Sequence, residues 1–272
     1  MPRLSYINWV DQPETRMAGS AGPLTLPATN LAEPIAQRRW RATSTAVHGI
    51  VDFGQPREVG VLALLQPHDA GGIDGRGEPV GHLAPADTVR HRLDLDAPGT
   101  GALLDTGPLA CRVARGYGLT LLWLDAPVVA RWWRFDLDAP SLGAVGFVDL
   151  GRAWAGPAVR PENSFAYGWG SLWDDATIVT TAPRSGIRLK DLRHRRRRVN
   201  LGFPALTRAE AKETFEELSR VVGLRGQLLF SPDPGGGHEP TEAILGELLD
   251  CSPIEQSNAA LFAKSFSIIQ AL

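Results

Sequence analysis

The sequence predicts a mainly β protein, on three observations: dense turn punctuation, apolar alternation at period two, and a single stretch of helical spacing. The chain has 272 residues, of which 29 are glycine and 21 proline, so it is interrupted every few positions. That spacing disfavours long helices and favours short strands joined by turns. With 43% apolar residues it can bury a sizeable core, and its length suits one or two domains.

Residues 1–35 read as an extended N-terminal arm, rich in Pro, Gly, Ala and Thr from residue 12 onward and without periodicity. Strand-like segments follow at 39–47, 48–53, 58–65, 88–95, 118–124, 129–137 and 146–156, each bounded by turn residues. Within them, 130–138 mixes aromatics with charges at period two, as a strand with one buried face does. The block 36–156 is therefore expected to be a β-sandwich or jelly roll. Its longest apolar run, Val59 to Leu65 broken only by Gly60, falls far short of the ~20 residues that span a bilayer. The first residues also lack the apolar stretch of ~7–15 residues that a signal peptide needs, so a cytoplasmic site of synthesis without membrane insertion is expected.

From 157 to 272 a second β unit is expected. Phe165, Tyr167, Trp169 and Trp173 occupy odd positions, the pattern of a strand or hairpin with an aromatic face. Residues 193–203 read as a strand. A helix over 208–222 follows from a Thr207–Glu210 capping box, from Ala211, Phe215, Leu218 and Val222 on one face, and from the stop at Gly223. Strands at 227–231 and 243–249 flank 232–238, a glycine-rich stretch read as a mobile hairpin tip, and 262–269 reads as the last strand.

Catalytic patterns are missing. The six histidines form no i, i+4 pair, Cys111 and Cys251 match no metal or disulfide framework, and there is no Gly-x-Ser-x-Gly elbow. Asp52, Asp69, Asp74 and Asp87 follow no calcium-loop spacing. Asp136 and Asp138 share a strand face, but surface ion pairs explain them as well as a hydrolase pair does. No catalytic, cofactor-binding or metal-ligating residue is assigned, and a protein that is not an enzyme is expected. A net charge of −2 offers no basic field for specific nucleic-acid binding.

Two excesses remain. Arg195, Arg196, Arg197 and Arg198 are candidate subunit-interface residues, pairing with carboxylates of an adjacent subunit or with Asp174 and Asp175. Eight tryptophans stand against three tyrosines, and Trp132, Trp133, Trp154 and Trp169 fall in strand patterns that suit core anchors. A sugar-binding surface would instead expose aromatics and carboxylates along one rim of the sandwich. Solvent-facing rings at Trp123 or Trp132 would favour that reading, and buried ones would argue against it.

The series Arg39-Trp-Arg-Ala-Thr-Ser44, Val51-Asp-Phe-Gly54, Arg57-Glu-Val-Gly-Val-Leu62, Ala130-Arg-Trp-Trp-Arg-Phe135 and Phe147-Val-Asp-Leu-Gly-Arg-Ala-Trp-Ala-Gly156 resembles a discoidin-like, galactose-binding-type jelly roll. The loop at 71–81 is longer and more polar than a compact jelly roll requires. The second half, through Ser164-Phe-Ala-Tyr-Gly-Trp169, the arginine strand, the capped helix, Leu229-Phe-Ser-Pro-Asp-Pro234 and Leu248-Leu-Asp-Cys-Ser-Pro-Ile-Glu255, is similar to tail-tip proteins of long-tailed bacteriophages. That resemblance implies a tube-like β unit with one helix, in a distal tail or baseplate protein. Such a protein forms a homo-oligomeric, hexameric ring between the tail tube and the host-recognition tip, beside the hub and tape measure. It also implies a virion location after assembly in the host cytoplasm, and no catalytic residues. The alternative is a carbohydrate-binding module that recognises a host-surface glycan.

Overall fold

The computed structural model describes residues 1–67, 81–114, 118–166, 169–175, 177–181, 187–191, 195–223 and 226–271. The strands in chain order are β1 (Arg3–Ser5), β2 (Arg16–Gly19), β3 (Trp40–Ala42), β4 (Ala46–Leu65), β5 (Thr88–Asp94), β6 (Leu104–Asp105), β7 (Leu109–Ala110), β8 (Leu119–Asp138), β9 (Val148–Leu150) and β10 (Arg152–Gly156). They continue as β11 (Gly170–Asp175), β12 (Ile178–Thr181), β13 (Arg188–Asp191), β14 (Arg195–Leu206), β15 (Gln227–Ser231), β16 (Ile244–Cys251), β17 (Glu255–Gln256) and β18 (Phe262–Gln270). The protein is mainly β, with curled antiparallel sheets of the sandwich type.

Two compact units divide the chain. The first comprises 1–160 with 228–245, and the second 161–227 with 246–271. The residues read as an arm belong to the first unit. β2 pairs with β4, β1 pairs with β15, and Val10 and Leu31 are buried in the main core. Sequence reading missed this because the apolar residues of this stretch, Leu4, Val10 and Leu31 among them, share no period. The loop residues 68–80, covering most of the long polar loop with Asp69 and Asp74, lie outside the described residues.

In the first unit the main sheet runs β10-β4-β8-β5-β6, with β2 beside β4 and β7 beside β5. β4 spans parts of three expected segments, 39–47, 48–53 and 58–65, and β8 spans two, 118–124 and 129–137, with residues 54–57 and 125–128 left between them as turns. They form bulges instead. Residues 53–56 swell opposite Arg131, and residues 124–127 swell opposite Gly60. The two insertions offset each other, so Val61 opposite Trp123 resumes the register begun by Ala46 opposite Asp138. Gly54 takes φ +77° in the first bulge, a conformation that favours glycine.

Beyond the bulges β4 is buried on both faces. Leu62 and Leu64 join a core with Trp40, Trp133 and Phe135, whereas Val61, Ala63 and Leu65 face a second cluster with Trp154, Leu229 and Leu245. A strand covered on both sides loses its alternation, and this is the origin of the continuous apolar run. β3 and β9 form a separate two-stranded ladder, with Arg41 opposite Asp149.

In the second unit the strands run β16-β18-β14-β11, with β17 beside β18. The helical segment covers 208–222 as expected. Glu210–Phe215 is wound as π-helix and Glu216–Val222, α1, as α-helix. The capping box is present, since Thr207 N donates to Glu210 Oε2 at 2.8 Å and Glu210 N donates to Thr207 Oγ1 at 3.3 Å. Ala211, Phe215, Leu218 and Val222 are all buried, and Phe215 packs with Phe203 and Phe266. A second short helix, α2 (Glu239–Glu242), belongs to the first unit.

Candidate functional site

The four candidate interface arginines lie at the start of β14, opposite β11, and their side chains alternate as strand geometry dictates. Arg195 is exposed and bonds Asp175 at 3.0 Å. Arg196 is half-buried and stands opposite Asp174. Arg197 is buried, and its backbone N–H donates to Gln270. Arg198 donates to Asn200 Oδ1 at 3.2 Å. Tyr167 and Arg193 lie outside the described residues.

A polar cavity lies in the first unit, beside the N-terminal half of β8. It is a cavity of about 340 Å³ with an apolar wall that includes Leu109, Leu121 and Leu122. Around it stand Arg3, Arg112, Asp125, His91, Trp123 and Glu239. Glu239 is 6% exposed. Its Oε1 accepts from Trp123 Nε1 at 3.1 Å and from Ser231 Oγ at 2.9 Å. Its Oε2 accepts from Gly235 N at 2.9 Å, and Arg112 Nη1 stands 3.7 Å away. Arg112 also donates to the carbonyl of Gly236. The 232–238 stretch, expected as a mobile tip, is therefore bonded to a buried carboxylate.

Across the cavity His91 is fully buried against Trp133, whose Nε1–H donates to His91 Nδ1 at 3.2 Å. A neutral ring that accepts at Nδ1 carries its proton on Nε2, and that N–H has no partner among the described residues. Burial drives the His91 pKa down to about 4, against a small opposing effect of Asp136. The ring is thus a neutral donor at ordinary pH. Arg3, held by the Leu124 carbonyl at 3.1 Å and by Asp125 at 3.3 Å, supplies further charge at the rim.

Other expectations resolve into ion pairs. Asp136 accepts from Arg92 at 2.8 Å and from Arg134 at 2.7 Å. Asp52 is bound bidentately by Arg131, and Asp87 accepts from the backbone N–H groups of Ala84 and Ser141. Among the described residues no group of three or more His, Cys, Asp or Glu is placed to hold a metal ion. Nor is any helix among them long and apolar enough to cross a membrane. Trp40, Trp133 and Trp154 are core residues, Trp132 is half-buried, and the Trp123 ring is only 9% exposed. No exposed sugar-stacking platform therefore forms at Trp123. Sequence reading missed Glu239, His91 and Arg112 because the cavity gathers them from distant segments. The one available signal was Pro240, which sits at the start of a helix and marks 239–242 as ordered.

No family model matches the chain, and no curated protein matches it. Among solved structures it is similar to a family 32 carbohydrate-binding module of Clostridium perfringens NanJ in complex with galactose, at TM-score 0.42 and 12% identity. That likeness covers 58% of this chain and 100% of the module. A fucolectin from striped bass serum gives TM-score 0.42 and 13% identity over 74% of this chain and 71% of the lectin. The lectin domain of lectinolysin complexed with Lewis B antigen gives 0.40 and 12%, covering 56% and 97%. These neighbours are carbohydrate-binding and lectin domains.

Proposed function

We propose that the first unit is a non-catalytic carbohydrate-recognition module that binds a surface glycan in the cavity beside β8. The observation that carries this reading is the composition of that cavity. A sugar presents apolar C–H faces together with hydroxyls that both donate and accept. The cavity offers an apolar wall, guanidinium and imidazole donors at Arg3, Arg112 and His91, and a carboxylate acceptor at Asp125. Recognition runs through hydrogen bonds and the Leu121–Leu122 wall rather than through stacking on an exposed tryptophan. Glu239 orders the site by fixing Trp123 and Arg112. A glycan array probed with the full chain and with Arg112→Ala tests the reading. Selective binding by the wild type and its loss in the variant are expected, and an array silent to the wild type would overturn it.

A second reading, a ring-forming subunit of a phage tail tip, is favoured by a different observation. Every residue of the β12–β13 ladder is exposed, including Ile178, Val179 and Leu189, and β11 exposes Leu172 and Trp173. A two-stranded ribbon of this kind is at best marginally stable alone and suits burial against another subunit. Tail tube, hub and tape-measure partners belong to this reading, as do the hexameric ring and the virion location. Light scattering on the full chain tests it, a discrete ring being the expected species.

A further inference from the structure

We propose that the second unit holds a binding site for a carboxylate-bearing peptide segment, centred on Lys264. Lys264 is 4% exposed, so its ammonium is a charge taken out of bulk water. Only one acceptor reaches it among the described residues, the carbonyl of Ser252 at 3.1 Å. An ammonium has three hydrogens to donate, and no described carboxylate forms an ion pair with this one. Buried charges are normally paired, so a site with one neutral acceptor is electrostatically incomplete.

The residue lines two grooves of the second unit at once. One, about 640 Å³, runs between the helix and β16 and has Leu248, Leu249 and Ile254 among its walls. The other, about 240 Å³, is lined by Gly202, Phe203 and Pro204 of β14 and by the exposed Glu255. The residues that both grooves share are Ser252, Pro253 and Lys264. The carboxylates at the larger groove are already engaged. Glu216 pairs with Lys212 at 2.8 Å, and Asp250 accepts from the backbone N–H of Cys251. Lys264 is thus the one lysine of these grooves with no carboxylate within ion-pair reach among the described residues, the exposed Glu255 of the smaller groove included. An extended strand alternating apolar and acidic side chains fits the site, the carboxylate meeting Lys264 and the apolar residues covering Leu249 and Ile254. A neutral or basic segment would leave the ammonium as it is and gain only apolar contact.

Two capped synthetic peptides test this, one alternating Leu and Glu and the other Leu and Gln, with binding to the full chain followed by fluorescence anisotropy. The Glu peptide is expected to bind at least about tenfold tighter than the Gln peptide. Because the whole chain carries a net charge of −2, diffuse attraction works against that preference rather than for it. Lys264→Met is expected to abolish the preference and Lys264→Arg to retain it. Since Lys264→Met can fail to fold, the side-chain NMR signal of Lys264 in the wild type is followed as well, and it should shift with the Glu peptide alone. Equal binding of the two peptides, no binding of either, or a preference that survives in folded Lys264→Met would overturn the proposal.

Discussion

His91 shows what burial does to a titratable side chain. Its folded pKa near 4 lies below the ordinary value of 6.5, so the unfolded chain takes up a proton that the folded chain refuses. Stability is therefore complete above pH 6.5 and falls as the pH drops towards 4. The loss amounts to about 3 kcal/mol and levels off below that. His91→Gln keeps an acceptor for Trp133 but does not titrate. In urea unfolding at pH 7 and pH 4 the wild type is expected to lose about 3 kcal/mol more than this variant. Parallel losses would show that His91 does not govern this range. Asp149 is the opposite case, a buried charge that is fully paired. Both its oxygens accept from Arg41 at 2.8 Å, Arg39 lies 3.3 Å away, and Gly81 N donates at 3.2 Å. Asp149→Asn leaves buried guanidinium charge unbalanced and is expected to cost about 3–5 kcal/mol in chemical denaturation. The motifs Arg39-Trp-Arg and Val148-Asp-Leu were legible only as part of a resemblance. Their physical role, a lock between β3 and β9, depends on a cross-strand pairing that no local spacing displays.

At the scale of elements, the helix was legible because all of its signals are local. Thr207, Glu210, the apolar face and Gly223 lie within a few turns of one another, and the structure uses each as expected. Thr207→Ala removes the hydroxyl that caps Glu210 N and is expected to cost about 1 kcal/mol by thermal or chemical unfolding. The π-helical winding of Glu210–Phe215 had no such signal. The paired strands β4 and β8 were half legible. Their alternation was visible, but the residues read as turns are bulges, and only the mutual register distinguishes a bulge from a reversal. Gly49 within β4 was equally silent. A Cβ there would lie 2.1 Å from the Phe135 ring, which is itself fully buried. Gly49→Ala is expected to destabilise the first unit by about 1–3 kcal/mol through overpacking, measurable in the same unfolding experiment.

For the whole molecule, composition announced the β class, whereas the run from Val59 to Leu65 was read only against the length of a membrane span, and its two covered faces emerge from the structure. The division into units was less legible. Residues 228–245 return to the first unit after the helix, and with them comes Glu239, the carboxylate that orders the cavity. A chain read from end to end assigns that segment to its sequence neighbours, and so the cavity could not be assembled from sequence. The arginine run was conspicuous, yet the fold spreads it over both faces of β14. Arg196 is the member with none of the Asp175 bond of Arg195, the burial of Arg197 and the Asn200 bond of Arg198. If the second unit assembles through these arginines, Arg196→Glu is expected to shift the light-scattering mass from ring to monomer with the unfolding transition unchanged. An unaltered ring would remove Arg196 from the interface.

Glycan recognition at the cavity beside β8 is tested most directly by the indole N–H signal of Trp123, assigned with Trp123→Phe, during titration with an oligosaccharide selected on the array. Trp123 donates this hydrogen to Glu239 at the cavity wall. A saturable shift of that signal, with the core indole of Trp40 unmoved, is the predicted result. Binding that leaves the Trp123 signal in place would put the sugar elsewhere and contradict the assignment.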